Sequence, residues 1–114
     1  MDDAESMLAG HLQELRRGSV VLACLSVLRE PRYGYALLDL LREVGIEVDG
    51  NTLYPLLRRL ERQGLLTSSW NTEESRPRKY YRVSAAGERA LERLTTEWAA
   101  LDASIRALLK EKDS

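Results

Sequence analysis

The chain has 114 residues, of which 44% are hydrophobic and 31% charged, so it is long enough for one globular domain and is not disordered in composition. Seventeen Lys and Arg side chains against eighteen Asp and Glu give a net charge of −1, which excludes a uniformly basic nucleic-acid binder. A single cysteine excludes an intrachain disulfide, and the longest apolar run, residues 20–28, is far shorter than the roughly 20 residues that cross a membrane. We therefore expect a cytoplasmic protein.

The same counts weigh against catalysis. The only histidine is His11, so any Cys–His or Ser–His–Asp arrangement would need it, and a His/Cys zinc cluster cannot form. The seven glycines are scattered and make no phosphate-binding loop. We predict that the chain is not an enzyme and needs no metal or cofactor. His11 is interpreted as an exposed helix residue, and Cys24 as a small core residue rather than a redox switch.

The N-terminal part of the chain is predicted to be helical. The first seven residues are acidic and have no hydrophobic pattern, so we expect them to fray. Leucines at 8, 12 and 15 indicate a short amphipathic helix that ends near Gly18. Ser19 can cap a second helix, whose body, residues 20–28, is apolar nearly all round and belongs in the core. Pro31 ends it.

Two more helices follow, separated by a short connection. The third is predicted over residues 33–44, with Gly45 as its C-terminal cap. For the fourth helix, either Asp49 or Asn51 can act as the N-cap, and the helix ends near Gln63.

The spacing of hydrophobic residues changes from helical to strand-like after this helix. Residues 65–70 and 78–83 are short segments with β-branched and aromatic side chains, and a polar loop separates them, so they predict a hairpin. Ser84 caps a last helix that runs to about Lys112, roughly 40 Å at 1.5 Å per residue. The fold class is therefore mainly α with a small β-hairpin.

The predicted fourth helix is amphipathic and basic. Its four leucines, within residues 53–60, fall inside about 100° of one face. Arg58 and Arg62, at i and i+4, repel each other, and an anion such as a DNA phosphate would offset that repulsion. Arginines on a solvated helix face are also common, so this helix alone leaves both interpretations open. The residues that point away from the leucine face, or flank it, are Pro55, Arg58, Arg59 and Arg62.

The hairpin favours nucleic-acid binding. Residues 51–84 hold seven basic and three acidic side chains, a local charge of +4, while the rest of the chain sums to −5. A solvated surface does not explain this segregation. Two helices joined by a tight turn and followed by a basic hairpin form a winged helix-turn-helix, whose second helix enters the major groove. The wing, residues 71–79, then contacts the backbone or the minor groove, and its basic candidates are Arg76, Arg78 and Lys79.

Polar groups near the start of the fourth helix are further candidates. Thr52 and Tyr54 are placed to donate to phosphates or base edges, where the helix dipole also favours an anion. Tyr33, at the start of the preceding helix, can do the same, although packing at the rim of the core is an alternative for both tyrosines. The full candidate DNA-binding set is Tyr33, Asn51, Thr52, Tyr54, Pro55, Arg58, Arg59, Arg62, Arg76, Arg78 and Lys79.

The last helix carries a second signal, an apolar seam with spacings of 3, 4, 3, 4 and 3. A long helix that projects from a small domain cannot bury such a seam locally, so pairing with a second copy is expected, and a helix folded back on its own domain is the alternative. Residues 1–84 would form the DNA-binding domain and residues 85–114 the dimerisation helix. The seam consists of Leu91, Leu94, Trp98, Leu101, Ile105 and Leu108.

Several stretches together resemble the PadR family of transcriptional regulators. They are residues 33–35 (Tyr-Gly-Tyr), 51–61 (Asn-Thr-Leu-Tyr-Pro-Leu-Leu-Arg-Arg-Leu-Glu), 64–66 (Gly-Leu-Leu) and 78–84 (Arg-Lys-Tyr-Tyr-Arg-Val-Ser), followed by Gly87. The resemblance covers roughly residues 15–105. It implies a dimeric bacterial repressor that binds operator DNA as a winged helix and that a small molecule releases in some members.

The length resembles the shorter branch of this family, in which one long C-terminal helix joins the subunits. Two departures are small: Asn51 stands where a glycine often precedes the threonine, and Ser84 stands where a threonine is frequent. Neither affects the expected fold.

Similarity to the multidrug-sensing members of the family implies a ligand site. In those members a tryptophan on the C-terminal helix lines a flat pore at the dimer centre, with an aspartate one turn on, and Trp98 and Asp102 match both positions. Two indoles can sandwich a planar aromatic cation, but an interface tryptophan also packs without any ligand. The facing positions on the N-terminal helices match Leu15, Leu22 and Ser26.

Together these patterns predict a homodimeric, ligand-responsive repressor that binds a pseudo-palindromic operator. The first alternative is a winged-helix protein-interaction module without DNA binding, which has no need of the basic cluster. A small hydrolase or transferase is the second, and it would need an acid–base constellation that the sequence does not contain.

Overall fold

The computed structural model of the chain describes residues 3–73 and 75–113. These residues form a mainly α-helical protein with a small antiparallel sheet, which confirms the predicted fold class. In chain order the elements are α1 (Asp3–Val27), β1 (Arg32–Tyr33), α2 (Gly34–Glu43), α3 (Gly50–Arg62), β2 (Leu66–Asn71), β3 (Arg78–Val83) and α4 (Ala85–Asp113).

Helix α1 is one continuous helix of 25 residues, where the sequence predicts two. The expected end near Gly18 and the N-cap at Ser19 are wrong, because the Ser19 hydroxyl donates to the carbonyl oxygen of Leu15 at 3.5 Å, within the helix. A glycine costs a helix interior about 1 kcal/mol. Hydrogen bonding along the helix, together with packing of its C-terminal half in the core, outweighs that cost.

The start of α1 also differs from expectation. Residues 3–7, which were expected to fray, already belong to the helix, while residues 1 and 2 lie outside the described part of the chain. Asp3 and Glu5 lie in the first turn, where carboxylates interact favourably with the positive end of the helix dipole.

Helices α2 and α3 form the helix-turn-helix, and both have well-defined ends. The Asp49 carboxylate accepts a hydrogen bond from the backbone N–H of Thr52 at 2.8 Å, so Asp49 rather than Asn51 caps α3. Gly45 and Gly64 follow the two helices with φ of +88° and +79°, the left-handed conformation that terminates helices. Both predicted stop positions are confirmed.

The sheet has three strands in the order β1-β3-β2, all antiparallel. The predicted hairpin is its larger part, with Leu66 opposite Val83 at one end and Asn71 opposite Arg78 at the other. Strand β1 was not predicted, because two residues carry no readable periodicity. It pairs with β3 and leads directly into α2, so Tyr33 is a strand residue and the N-cap of α2 rather than its first helical residue.

Helix α4 begins as predicted, with Ser84 as its cap. The Ser84 hydroxyl accepts from the N–H of Gly87 at 2.9 Å and donates to the carbonyl of Gly64 at 2.6 Å. The backbone N–H of Ser84 donates to the carbonyl of Leu65 at 3.0 Å. These bonds tie the start of α4 to Gly64 and Leu65, which join α3 to β2.

The core lies where the C-terminal half of α1, the two helices of the helix-turn-helix and the sheet meet. The expectation that residues 20–28 lie centrally is confirmed by the complete burial of Cys24, Leu25 and Leu28. The buried hydrophobic residues are Val20, Cys24, Leu25, Leu28, Leu37, Leu41, Leu53, Leu57, Leu60, Leu66, Tyr81 and Val83.

The molecule is elongated. It measures 61 × 37 × 23 Å, and its radius of gyration of 17.0 Å exceeds the value of about 13 Å expected for a compact chain of this length. The N-terminal half of α1 and most of α4 project beyond the core. These two projections expose large apolar side chains.

Candidate nucleic-acid interface

Burial of one face of α3 determines which of its residues face outward. Leu53, Leu57 and Leu60 are buried in the core, and Leu56 is half-buried against it. The opposite face is therefore exposed to solvent, as the periodicity predicts. The exposed candidates on this helix are Asn51, Thr52, Pro55, Arg58, Arg59 and Arg62.

Tyr54 is held at the junction of α2 and α3. Its ring lies so close to Gly34 and Gly50 that a Cβ atom on either glycine would stand 2.6 or 3.1 Å from a ring carbon. The ring is half-buried and packs against the core, so Tyr54 has the packing role that was given as the alternative to DNA contact. Tyr54 thus packs between the N-terminal ends of the two helices, where a Cβ at Gly34 would press against its ring.

Tyr33 connects the start of α2 to the base of the wing. Its hydroxyl oxygen accepts a hydrogen bond from the side-chain amide of Asn71 at 2.7 Å, which leaves its own proton available for donation. The ring stacks on Tyr35 at 5.7 Å between centroids and meets Tyr80 edge-on at 6.1 Å. The sequence analysis assigned no role to Tyr35 or Asn71, and Asn71 approaches Tyr33 only because β1 joins the sheet.

The wing carries its arginines outward. Arg76 is exposed in the loop between the strands, and residue 74 of that loop lies outside the described residues. Arg78 is also exposed, and its guanidinium lies 5.1 Å from the centre of the Tyr35 ring. A guanidinium over an aromatic face has restricted freedom, so this contact orients Arg78 at the base of the wing.

Lys79 and Glu61 link the wing to α3. The Lys79 ammonium lies 3.2 Å from one Glu61 carboxylate oxygen, and the Ser68 hydroxyl donates to the other. The hydrogen bond from Ser68, followed by that from Lys79, lowers the pKa of Glu61. Glu61, the acidic residue among the arginines of α3, therefore faces the hairpin, and it compensates the charge of Lys79.

A groove of about 1130 Å³ runs between α1 and α3. Arg59 and Arg62 line it from α3, while Arg16 and Arg17 line it from α1. Arg42, at the end of α2, also lines it. The basic count over residues 51–84 could not include Arg16, Arg17 or Arg42, because only the folded chain brings them beside α3.

The predicted seam on α4 is almost entirely exposed in the single chain. Leu91 packs against the edge of the core, whereas every later seam residue from Leu94 to Leu108 is exposed. Trp98 is 55% exposed. A second apolar stripe lies on the N-terminal half of α1, where Leu8, Leu12 and Leu15 are exposed.

The residues matched to a ligand site are distributed over both helices. Leu15 is exposed on α1, and Leu22 and Ser26 are half-buried further along it. Ser26 lines a cleft of about 540 Å³ against Leu91 and Thr95 of α4. The Asp102 carboxylate lies 3.0 Å from the Arg106 guanidinium, so an ion pair within α4 already engages it.

Other candidate chemistries find little support. The Cys24 thiol is fully buried, and desolvation raises its pKa from 9.0 to about 12, which keeps it protonated and unreactive. His11 is exposed on α1. Among residues 3–73 and 75–113 no cluster of His, Cys, Asp and Glu is arranged to hold a metal ion, and no helix there has the length and apolar character to cross a membrane.

Comparison with known proteins identifies this architecture. Residues 21–93, more than half of the chain, match the model of the transcriptional regulator PadR-like family. The transcriptional regulator Rv3488 of Mycobacterium tuberculosis is 35% identical over 99 residues, which cover 86% of this chain and 90% of that protein.

Solved structures are similar over nearly the whole chain. The crystal structure of a PadR family transcriptional regulator from Eggerthella lenta superposes with a TM-score of 0.87 at 47% identity, covering 93% of this chain and 95% of that one. A transcriptional regulator from Clostridium thermocellum gives a TM-score of 0.76 at 30% identity, covering 82% and 95%. These names describe regulators, in agreement with the prediction that the chain is not an enzyme. The chain belongs to the PadR family of transcriptional regulators.

Proposed function

We propose that this regulator is a cytoplasmic homodimer that represses transcription by binding a pseudo-palindromic operator. The observation that carries the proposal is the outward face of α3, whose arginines lie next to a basic wing in a protein of a family of transcriptional regulators. Such a helix fits the major groove of B-DNA, while a basic hairpin contacts the flanking backbone.

In this proposal each part of the interface has a distinct role. Arg58 and Arg62 on α3 contact base edges, with Asn51, Pro55 and Arg59 beside them. The wing arginines and Lys79 contact phosphates or the minor groove, which positions the protein without specifying sequence. Hydroxyl groups near the start of α2 and α3 donate hydrogen bonds to the DNA backbone. They are those of Tyr33, Thr52 and Tyr54.

The dimer is formed by residues 85–114, while residues 1–84 bind DNA. The exposed seam from Leu94 to Leu108 supports this division, because a row of apolar side chains along a projecting helix is unfavourable in water unless a second surface covers it. The two DNA-binding domains of the dimer, about 34 Å apart, would then contact half-sites one DNA turn apart.

Binding of labelled DNA from upstream of the protein's own gene tests the proposal. Fluorescence anisotropy at several salt concentrations, with a scrambled duplex as control, is expected to give tight binding that prefers the native sequence. Two subunits should bind each duplex, and the affinity should fall steeply with salt. Weak and equal binding to both duplexes would favour the alternative of a protein-interaction module.

Two substitutions separate the proposed roles. Arg58→Ala should weaken binding by about 1–3 kcal/mol and reduce the preference for the native sequence, because alanine cannot hydrogen-bond to a base edge. Lys79→Ala should weaken binding to all sequences alike and flatten the salt dependence. If both variants bind as the unmodified protein does, the assigned DNA face is wrong.

A planar aromatic effector between the subunits is a further part of the proposal. Trp98, Asp102 and the residues Leu15, Leu22 and Ser26 would form its site, and the exposed indole of Trp98 supports a stacking role. The test is titration of planar cationic dyes in a Trp70→Phe background, which leaves Trp98 as the only fluorescent indole. Quenching is expected, and no quenching by any dye would leave Trp98 with a packing role alone.

A further inference from the structure

The groove between α1 and α3 lies directly beside the proposed DNA-contacting helix. Its α3 wall consists of Leu56 and four residues of the candidate DNA-binding set, Thr52, Pro55, Arg59 and Arg62. A ligand that touches the outer face of α3 therefore also meets the mouth of this groove.

The opposite wall of the groove is basic as well. Arg16 and Arg17 of α1 stand across from α3, and Arg42 joins them from the end of α2. Two carboxylates, those of Glu47 and Asp49, also line the groove. The five arginines outnumber these two carboxylates, so the groove has a clear excess of positive charge.

The groove and the wing lie on different sides of α3. Glu61 faces the wing through Lys79, and at 100° per residue Arg59 is about 160° away from Glu61 around the helix. A helix in the major groove has a phosphate backbone on each side of it. With α3 in the major groove, the wing would lie beside one backbone, and Arg16 and Arg17 would lie on the side of the other.

The arginine face of α1 is largely separate from its apolar stripe. On the same helical wheel, Arg17 is roughly opposite the centre of the stripe formed by Leu8, Leu12 and Leu15, and Arg16 lies between the two. A partner that covers the leucines therefore leaves Arg17 uncovered. Arg17 lies 3.6 Å from Glu14, but both side chains are about 70% exposed and such a pair is weak.

We propose that the DNA-binding surface extends across this groove onto α1, where Arg16 and Arg17 bind backbone phosphates on the side of α3 opposite the wing. The inference rests on the proposed DNA-binding function. It adds to that function a second set of phosphate contacts, supplied by a helix outside the helix-turn-helix and the wing.

The double substitution Arg16→Ala with Arg17→Ala tests the proposal on the full-length protein. Anisotropy titrations with the native and scrambled duplexes should show affinity lowered by the same factor for both, because phosphate contacts do not specify sequence. The slope of log affinity against log salt should flatten by about 0.9 for each phosphate that the variant no longer binds. The double variant Arg89→Ala with Arg93→Ala removes the same charge from the face of α4 opposite its apolar seam, and its slope should not change.

The other outcomes have distinct meanings. If the α1 variant binds like the α4 control while Arg58→Ala still weakens binding, the extension is wrong and the proposed function stands. If size-exclusion chromatography shows that the α1 variant no longer dimerises, the groove is a protein contact and the proposal is overturned. If Arg58→Ala has no effect and neither duplex is preferred, the proposed function itself fails, and the extension fails with it.

Discussion

At the scale of single residues, Gly87 has the least room for a side chain among the glycines. A Cβ atom at this position would lie 2.0 Å from the carbonyl oxygen of Leu65 and 2.5 Å from Cγ2 of Val83. Since the first of these neighbours is backbone, it cannot rotate away. The first turn of α4 therefore contacts the sheet so closely that only glycine fits.

We expect Gly87→Ala to lower the free energy of unfolding by about 1–3 kcal/mol, the usual cost of overpacking a well-packed site. Thermal denaturation followed by circular dichroism would measure it. Gly18→Ala is the matched control, because nothing lies within 4 Å of an added Cβ there and alanine favours the helix by about 1 kcal/mol. A variant at Gly87 as stable as the unmodified protein would contradict this close contact.

At the scale of elements, the contact of Glu61 with Ser68 and Lys79 joins α3 to the hairpin. Because hydrogen bonding lowers the pKa of Glu61 in the folded state, its contribution to stability is complete above the ordinary value of 4.5 and is lost as the pH falls through the lowered value. The contact between the hairpin and α3 is therefore strongest while the Glu61 carboxylate is ionised.

Glu61→Gln should lower the free energy of unfolding at pH 7 by about 1 kcal/mol or less, since a third of each side chain is in contact with solvent. Urea denaturation at pH 7 and at a series of lower pH values measures the effect. The difference between the two proteins should shrink as the pH falls through the lowered pKa of Glu61, because the carboxyl group is then as neutral as the glutamine amide. A difference that stays constant with pH would mean that the carboxylate charge contributes nothing.

Most elements could be predicted from the sequence because each has a local cause. The amphipathic period of α3, the glycines at 45 and 64 and the cap at Ser84 act over a few residues, and all are found in the structure. The break at Gly18 was wrong because one glycine costs only about 1 kcal/mol, while a helix whose other end is anchored in the core gains a hydrogen bond with each residue added. Strand β1 and the approach of Arg16 and Arg17 to α3 depend on residues far apart in the chain, and no periodicity encodes such proximity.

At the scale of the whole molecule, the exposed seam of α4 determines the expected assembly. Leu101→Glu places a charge in the middle of this seam, and we expect it to convert a dimer to monomers because burying an unpaired carboxylate costs several kcal/mol. Sedimentation or light scattering would measure the mass. Operator affinity should fall as well, since the two DNA-binding domains would no longer bind as one unit.

Ala103→Glu is the control for this substitution. Residue 103 is exposed on the face of α4 that is opposite the seam, so the same charge there should leave the mass unchanged. If both variants stay dimeric, the subunits associate through another surface.

The continuity of α1 has a mechanical consequence. The leucines of its N-terminal half, Arg16, Arg17 and three core residues all lie on one continuous helix. Leu8 is twelve residues from Val20, about 18 Å along the axis, so a tilt of about 10° at the buried end moves the leucine stripe by about 3 Å. Helix α1 is therefore a lever: where it moves as one body, a displacement of its protruding end changes its angle at the core.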